Sequence, residues 1–111
     1  MSVTVVNIIP RKLLEGVQTT QYTAVLCKTI IDKFTLTNTH NAPVTVTISM
    51  PATSVPVSIA NQVLRNKTIA INETYNCPEL VGQTLEPGGF ISTIVSVDAV
   101  LSISASGREI T

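Results

Sequence analysis

"PVTVTISM", residues 43–50, alternates aliphatic and hydroxyl side chains at every step: Val44, Val46, Ile48 and Met50 share one parity, and Thr45, Thr47 and Ser49 share the other. Successive side chains of an extended chain point to opposite faces, so this period of two describes a strand with one face in a core and one in water. Most of these residues are β-branched, which stiffens them against helix and suits a pleated surface. Pro43 and Pro51 bracket the run at positions where a missing N–H does least harm. An uncharged, β-prone window left at a sheet edge invites edge-to-edge pairing, so this strand is expected in the middle of its sheet.

Working outward, "FTLTN" (34–38) repeats the arrangement, with Phe34 and Leu36 inward and Thr35 and Thr37 outward. The turn-forming "NTHNAP" between the two runs predicts that they pair as antiparallel neighbours. Further strand runs are "VTVVNII" (3–9), "TQYTAVL" (20–26), "KTIAI" (67–71), "FISTIVSV" (90–97) and "AVLSISAS" (99–106). Pro56 demotes "SVPVSIA" (54–60) to an edge strand or a connection, and "EPGG" (86–89) reads as a tight turn into the strand that starts at Phe90. "RKLLEGV" (11–17) is the one place for a helical turn. Short, regular spacing between strands suits a single-domain antiparallel β-sandwich, of jelly-roll type, over residues 1–111, rather than βαβ units.

At 111 residues, one core is the expectation. Hydrophobic residues reach 44%, while charged residues make up only 13%, against roughly 25% in an average soluble protein. Seven basic and seven acidic residues cancel, which removes the long-range attraction a nucleic acid or an anionic bilayer would exert. Neither is expected as a partner. A weakly charged surface costs little to desolvate and favours association, including with copies of itself. The N-terminus lacks the pattern of a signal peptide and no apolar run is long enough to span a membrane, so the chain is expected to fold in the cytoplasm where it is made. Cys27 and Cys77 are then expected to be buried free thiols.

Candidates for chemistry are sparse. His40 is the one histidine, so any triad or histidine-based metal scheme must pass through it, yet it sits among turn residues and no G-x-S-x-G elbow accompanies it. Cys27, Cys77 and His40 are isolated rather than in the close local pairs that zinc motifs use. Asp32, Glu73, Glu79 and Glu86 are scattered, and nothing selects a pair for acid–base work. The sequons at Asn66 and Asn72 need a secretory route that the chain does not signal. Thr-x-Thr pairs lack the fixed period of an ice-binding ladder. No enzyme activity, small-molecule substrate, cofactor or metal is expected. A carbohydrate-binding module is a rival reading because jelly rolls host lectins, but Trp is absent and only Phe34, Phe90, Tyr22 and Tyr75 could stack on a sugar.

From Gly82 to Thr111 the chain reads "GQTLEPGGFISTIVSVDAVLSISASGREIT": a Pro-Gly-Gly turn, aliphatics alternating with Ser and Thr, and a closing Ala-Ser-Gly-Arg-Glu. This segment resembles the end of the capsid decoration, or stapling, proteins of podoviruses similar to Salmonella phage epsilon 15. The first two thirds match that family in length and β character. The resemblance implies a jelly-roll-like cement protein on the outer surface of the virion, bound to the major capsid protein and clamping neighbouring subunits. The runner-up is a phage neck or tail adaptor. Two surfaces are candidates for the partner interface. One is the N-terminal segment 1–10, with Val3, Val5, Val6, Ile8 and Ile9, read either as a strand of the sandwich or as an extended arm; the other is the charged pair Arg108 and Glu109.

Overall fold

A computed structural model describes residues 2–111; Met1 lies outside them. The described residues form nine strands: β1 (Val3–Leu13), β2 (Thr19–Thr23), β3 (Lys28–Asn38), β4 (Val44–Ser49), β5 (Gln62–Ile69), β6 (Thr74–Tyr75), β7 (Thr84–Leu85), β8 (Phe90–Val95) and β9 (Leu101–Ile110). A single 3-10 turn, Ile59–Asn61, precedes β5. Sheet I has the order β1-β9-β3-β6, with β7 also on β3, and sheet II has the order β2-β8-β4-β5; all pairings are antiparallel.

The partners nest: β1 with β9, β2 with β8, β3 with β6, and β4 with β5. One long hairpin has thus been wound so that successive pairs fall on alternate sheets, which is the jelly roll of the sequence expectation. Between the sheets lie Ile9, Ile31, Phe34, Leu36, Ile48 and Ile103 with their neighbours, all essentially inaccessible. Both cysteines are free and buried.

"PVTVTISM" becomes β4, flanked by β8 and β5, so it is central as its composition requires. Its hydroxyl face is drier than alternation implies. Thr47 and Ser49 are buried. A bulge in β5 lets Asn66 fold over β4, where the Thr47 hydroxyl donates to Asn66 Oδ1 (3.1 Å) and accepts from the Asn66 backbone N–H (3.0 Å).

Two sequence expectations are corrected. The "FTLTN" and "PVTVTISM" runs do not pair; they lie in different sheets, because each apolar face must meet the other across the core and the five-residue connection, 39–43, is long enough to cross it. Asn38 closes that crossing by donating from its side-chain amide to the carbonyls of Ala42 (3.0 Å), Ile69 (3.0 Å) and Ala70 (3.2 Å). "RKLLEGV" forms no helical turn: Arg11–Leu13 continue β1, and Leu14 exchanges backbone hydrogen bonds with Leu101 and Ala99. Tertiary pairing with the β9 end of the molecule overrides the local propensity. The "SVPVSIA" run is the connection between β4 and β5, ending in the 3-10 turn.

Candidate interaction surface

The N-terminal residues 3–13 are a strand, β1, at the edge of sheet I. Two bulges, between Val6 and Ile9 and between Ile9 and Lys12, break its register with β9. They also break its alternation, so that the consecutive Ile8 and Ile9 both turn inward. Those two residues are 4% and 1% exposed and belong to the core, which removes them from the candidate interface. Val6 also packs against the core.

Val3 and Val5 point the other way. Val5 lies opposite Arg108 and Val3 opposite Ile110 across the β1–β9 ladder; on β3, Ile30 lies opposite Arg108 and Lys28 opposite Ile110. Cross-strand partners share a face, so Val3, Val5, Ile30 and Ile110 form one aliphatic patch across three strands on the outer side of sheet I. Val3 and Val5 are 52% and 78% exposed, and the two isoleucines are half-buried. Farther along the same face, Ser102 and Ser104 of β9 stand opposite Thr37 and Thr35 of β3, so the outer face changes from aliphatic to hydroxyl at mid-strand.

Charge at the patch is internally cancelled. Arg108 grips the Asp32 carboxylate through Nε (3.2 and 3.1 Å) and Nη2 (3.0 Å), and Lys28 pairs with Glu86 at 3.7 Å. Arg108 and Glu109 do not pair with each other, because adjacent strand residues face opposite ways. Glu109 points inward and accepts a hydrogen bond from Tyr22 of β2, while the Tyr22 hydroxyl also meets Thr29 Oγ1 of β3 at 2.7 Å. Burial, then the Glu109 carboxylate, push the Tyr22 phenol well above its usual range, so it stays a neutral link between the two sheets.

At the same end of the sandwich the patch meets the loops. The β2–β3 connection exposes Val25 and Leu26, with Leu26 87% exposed and in the left-handed region at φ 55. Ala24 N–H donates to Gly89 O (2.9 Å), Gly88 N–H donates to Ala24 O, and Phe90 N–H donates to Pro51 O (3.1 Å), which ties this tip to the "EPGG" turn and to the start of the β4–β5 loop. That loop carries the exposed Val55 and Ile59. Val3, Val5 and Arg108 are thus brought together, while Val6, Ile8, Ile9 and Glu109 turn inward; Leu26, Ile30 and Ile110 were not singled out from the sequence.

His40 sits in the β3–β4 crossing, its backbone N–H held by Asn38 Oδ1 at 2.8 Å. Among the described residues no group of three or more His, Cys, Asp or Glu is placed to hold a metal ion, and no helix is long and apolar enough to cross a membrane. Clefts on sheet I are small: 330 Å³ against Asn7, Pro10, Arg11 and Ser104, and 290 Å³ bordered by Asp32, Phe34 and Val81.

No protein-family model matches the chain, and no curated protein matches it. Among solved structures, that of the infectious bursal disease virus Gx strain is similar over 98% of this chain, at 10% identity and a TM-score of 0.31. This chain spans 40% of the length of that one. A likeness of that size carries no argument about what this protein does.

Proposed function

We propose that this protein is a non-enzymatic virion component that binds the outer surface of an icosahedral phage capsid and staples neighbouring major capsid subunits. The observation that carries the reading is that one end of the jelly roll holds both the charge-cancelled aliphatic patch of Val3, Val5, Ile30 and Ile110 and the exposed Leu26 tip. A cement protein needs a surface that loses little on desolvation, and the exposed aliphatics and paired charges at this end fit that need. The resemblance of Gly82–Thr111 to phage decoration proteins supports the same reading.

Co-sedimentation of the protein with undecorated phage capsids tests it. The expected result is saturable binding at a fixed number of copies per shell, with shells that resist heating better. Leu26→Asp, at a fully solvated tip, should leave the fold unchanged and cut occupancy at least tenfold. A handful of copies per particle would instead indicate a neck or tail adaptor. No binding, together with a saturable, sugar-specific signal on a glycan array, would replace the proposal with a carbohydrate-binding module.

A further inference from the structure

Edge strands expose unpaired backbone, and folded proteins normally blunt them with bulges, proline or charge. In β1 those devices occupy only one half. Both bulges, Pro10, Arg11 and Lys12 fall between Val6 and Leu13, while Val3–Val6 keep an unbroken register with β9 and carry no charge. The backbone directions can be assigned. Ser2 and Thr111 exchange both of their hydrogen bonds, Ser2 N–H to Thr111 O at 3.0 Å and Thr111 N–H to Ser2 O at 2.9 Å. In an antiparallel ladder such pairs alternate with pairs whose N–H and C=O point away from each other. Thr4 opposite Glu109 and Val6 opposite Gly107 therefore bond to β9, whereas Val3 and Val5 turn their N–H and C=O groups to the open edge. The two residues with free backbone are also the two whose valine side chains are most exposed on this strand.

We propose that the Val3–Val6 edge of β1 is a strand-addition site that receives an extended segment of the capsid protein with β-branched or aliphatic residues at alternate positions. The proposal rests on the capsid reading above and names the contact by which it operates. An incoming strand forms up to four main-chain hydrogen bonds with Val3 and Val5 and sets its own side chains beside theirs on the outer face. A second copy of this chain could pair here about a two-fold axis through Thr4. That arrangement buries little beyond four valines and leaves Ile30 and Ile110 uncovered, since the copy lies beside the sheet rather than over it. It pairs only the four-residue stretch Val3–Val6 of each copy, against the roughly 20–30 residues a side of a stable interface. A larger partner that donates a strand and also lies over the outer face covers the whole patch.

The test is capsid co-sedimentation with three variants. Val5→Pro removes an N–H that the fold itself does not use, at an edge position that tolerates proline. Val5→Lys places a charge on the incoming strand's path, and Thr35→Lys, on the hydroxyl half of the face, is the control. Wild-type and Thr35→Lys protein should bind equally, with Val5→Pro and Val5→Lys weakened at least tenfold, and hydrogen exchange in the N-terminal peptide should slow on shell binding. Should Val5→Pro misfold by circular dichroism, Val5→Lys and the exchange measurement still decide the matter. Wild-type binding with both Val5 variants unaffected would overturn strand addition while leaving capsid binding intact, whereas absence of wild-type binding would overturn the functional reading itself. A wild-type dimer in sedimentation velocity that Val5→Lys splits into monomers would overturn the choice of partner and assign the edge to a second copy.

Discussion

Three neighbouring residues of β4 show how a side chain's surroundings, rather than its parity alone, set its tolerance. Val46 faces the core at 1% exposure, Thr47 faces outward but is covered by Asn66, and Thr45 faces outward and is only half-buried. A carboxylate at 46 has no counter-charge and no water, so Val46→Asp should cost about 4 kcal/mol or prevent folding. Thr47→Asp loses both hydrogen bonds with Asn66 and crowds a buried site, at about 2 kcal/mol. Thr45→Asp should fall within about 0.5 kcal/mol of wild type. Urea titrations of the three variants check the order, and equal midpoints for Thr45→Asp and Thr47→Asp would show that Asn66 does not cover β4.

At the scale of elements, β9 is held so tightly between β1 and β3 that one of its residues must be glycine. A Cβ on Gly107 would collide with the Ile30 carbonyl oxygen, beside the bulge at Ile31–Lys33. The backbones are both anchored by their ladders, so Gly107→Ala should cost about 3 kcal/mol, as overpacking against unyielding neighbours does. Thermal unfolding measures it; an unchanged midpoint would mean that β3 yields. The Ala-Ser-Gly-Arg-Glu ending thus has a packing reason for its glycine. Periodicity identified most of the strands and their core faces because alternation is a local property. It could not say which strands pair, since "FTLTN" and "PVTVTISM" satisfy their apolar faces equally well side by side or across the core. Bulges were equally illegible, which is why Ile8 and Ile9 stayed open between a sandwich strand and an extended arm; Leu26 read as strand because its left-handed backbone, beyond the end of β2, leaves no mark on alternation. Val3, Val5 and Arg108 were among the residues offered from the sequence, but only the ladder separated them from Val6, Ile8, Ile9 and Glu109, which turn inward. Ile30 and Ile110 were not, because their place in the patch depends on the β3–β9 register.

For the molecule as a whole, a chain with so few charges has a simple pH response, and its alkaline limb follows from three groups. Burial pushes the Cys77 thiol up to about 12, and burial followed by the Glu79 carboxylate raises the Tyr75 phenol to about 12; Tyr22 is raised further still by burial and by Glu109. In each case the folded state holds the proton more tightly than the unfolded chain, whose ordinary values are 9.0 for the thiol and 10.0 for the phenols. The stabilisation from neutral burial is therefore fully present below pH 9 and is lost as pH rises, because the unfolded state releases protons first. Glu15 and Glu79 shift the opposite way, lowered chiefly by hydrogen bonds from Gln21 and Tyr75, so their contribution is present above their ordinary 4.5 and fades only in acid. Denaturation midpoints should be level from about pH 5 to 9 and then fall, with the tyrosines joining above pH 10. Cys77→Ala removes the first group and should delay the onset by about one pH unit relative to its own neutral value. An onset that does not move would mean that the thiol at position 77 is already open to solvent, and that the alkaline limb belongs to the tyrosines alone.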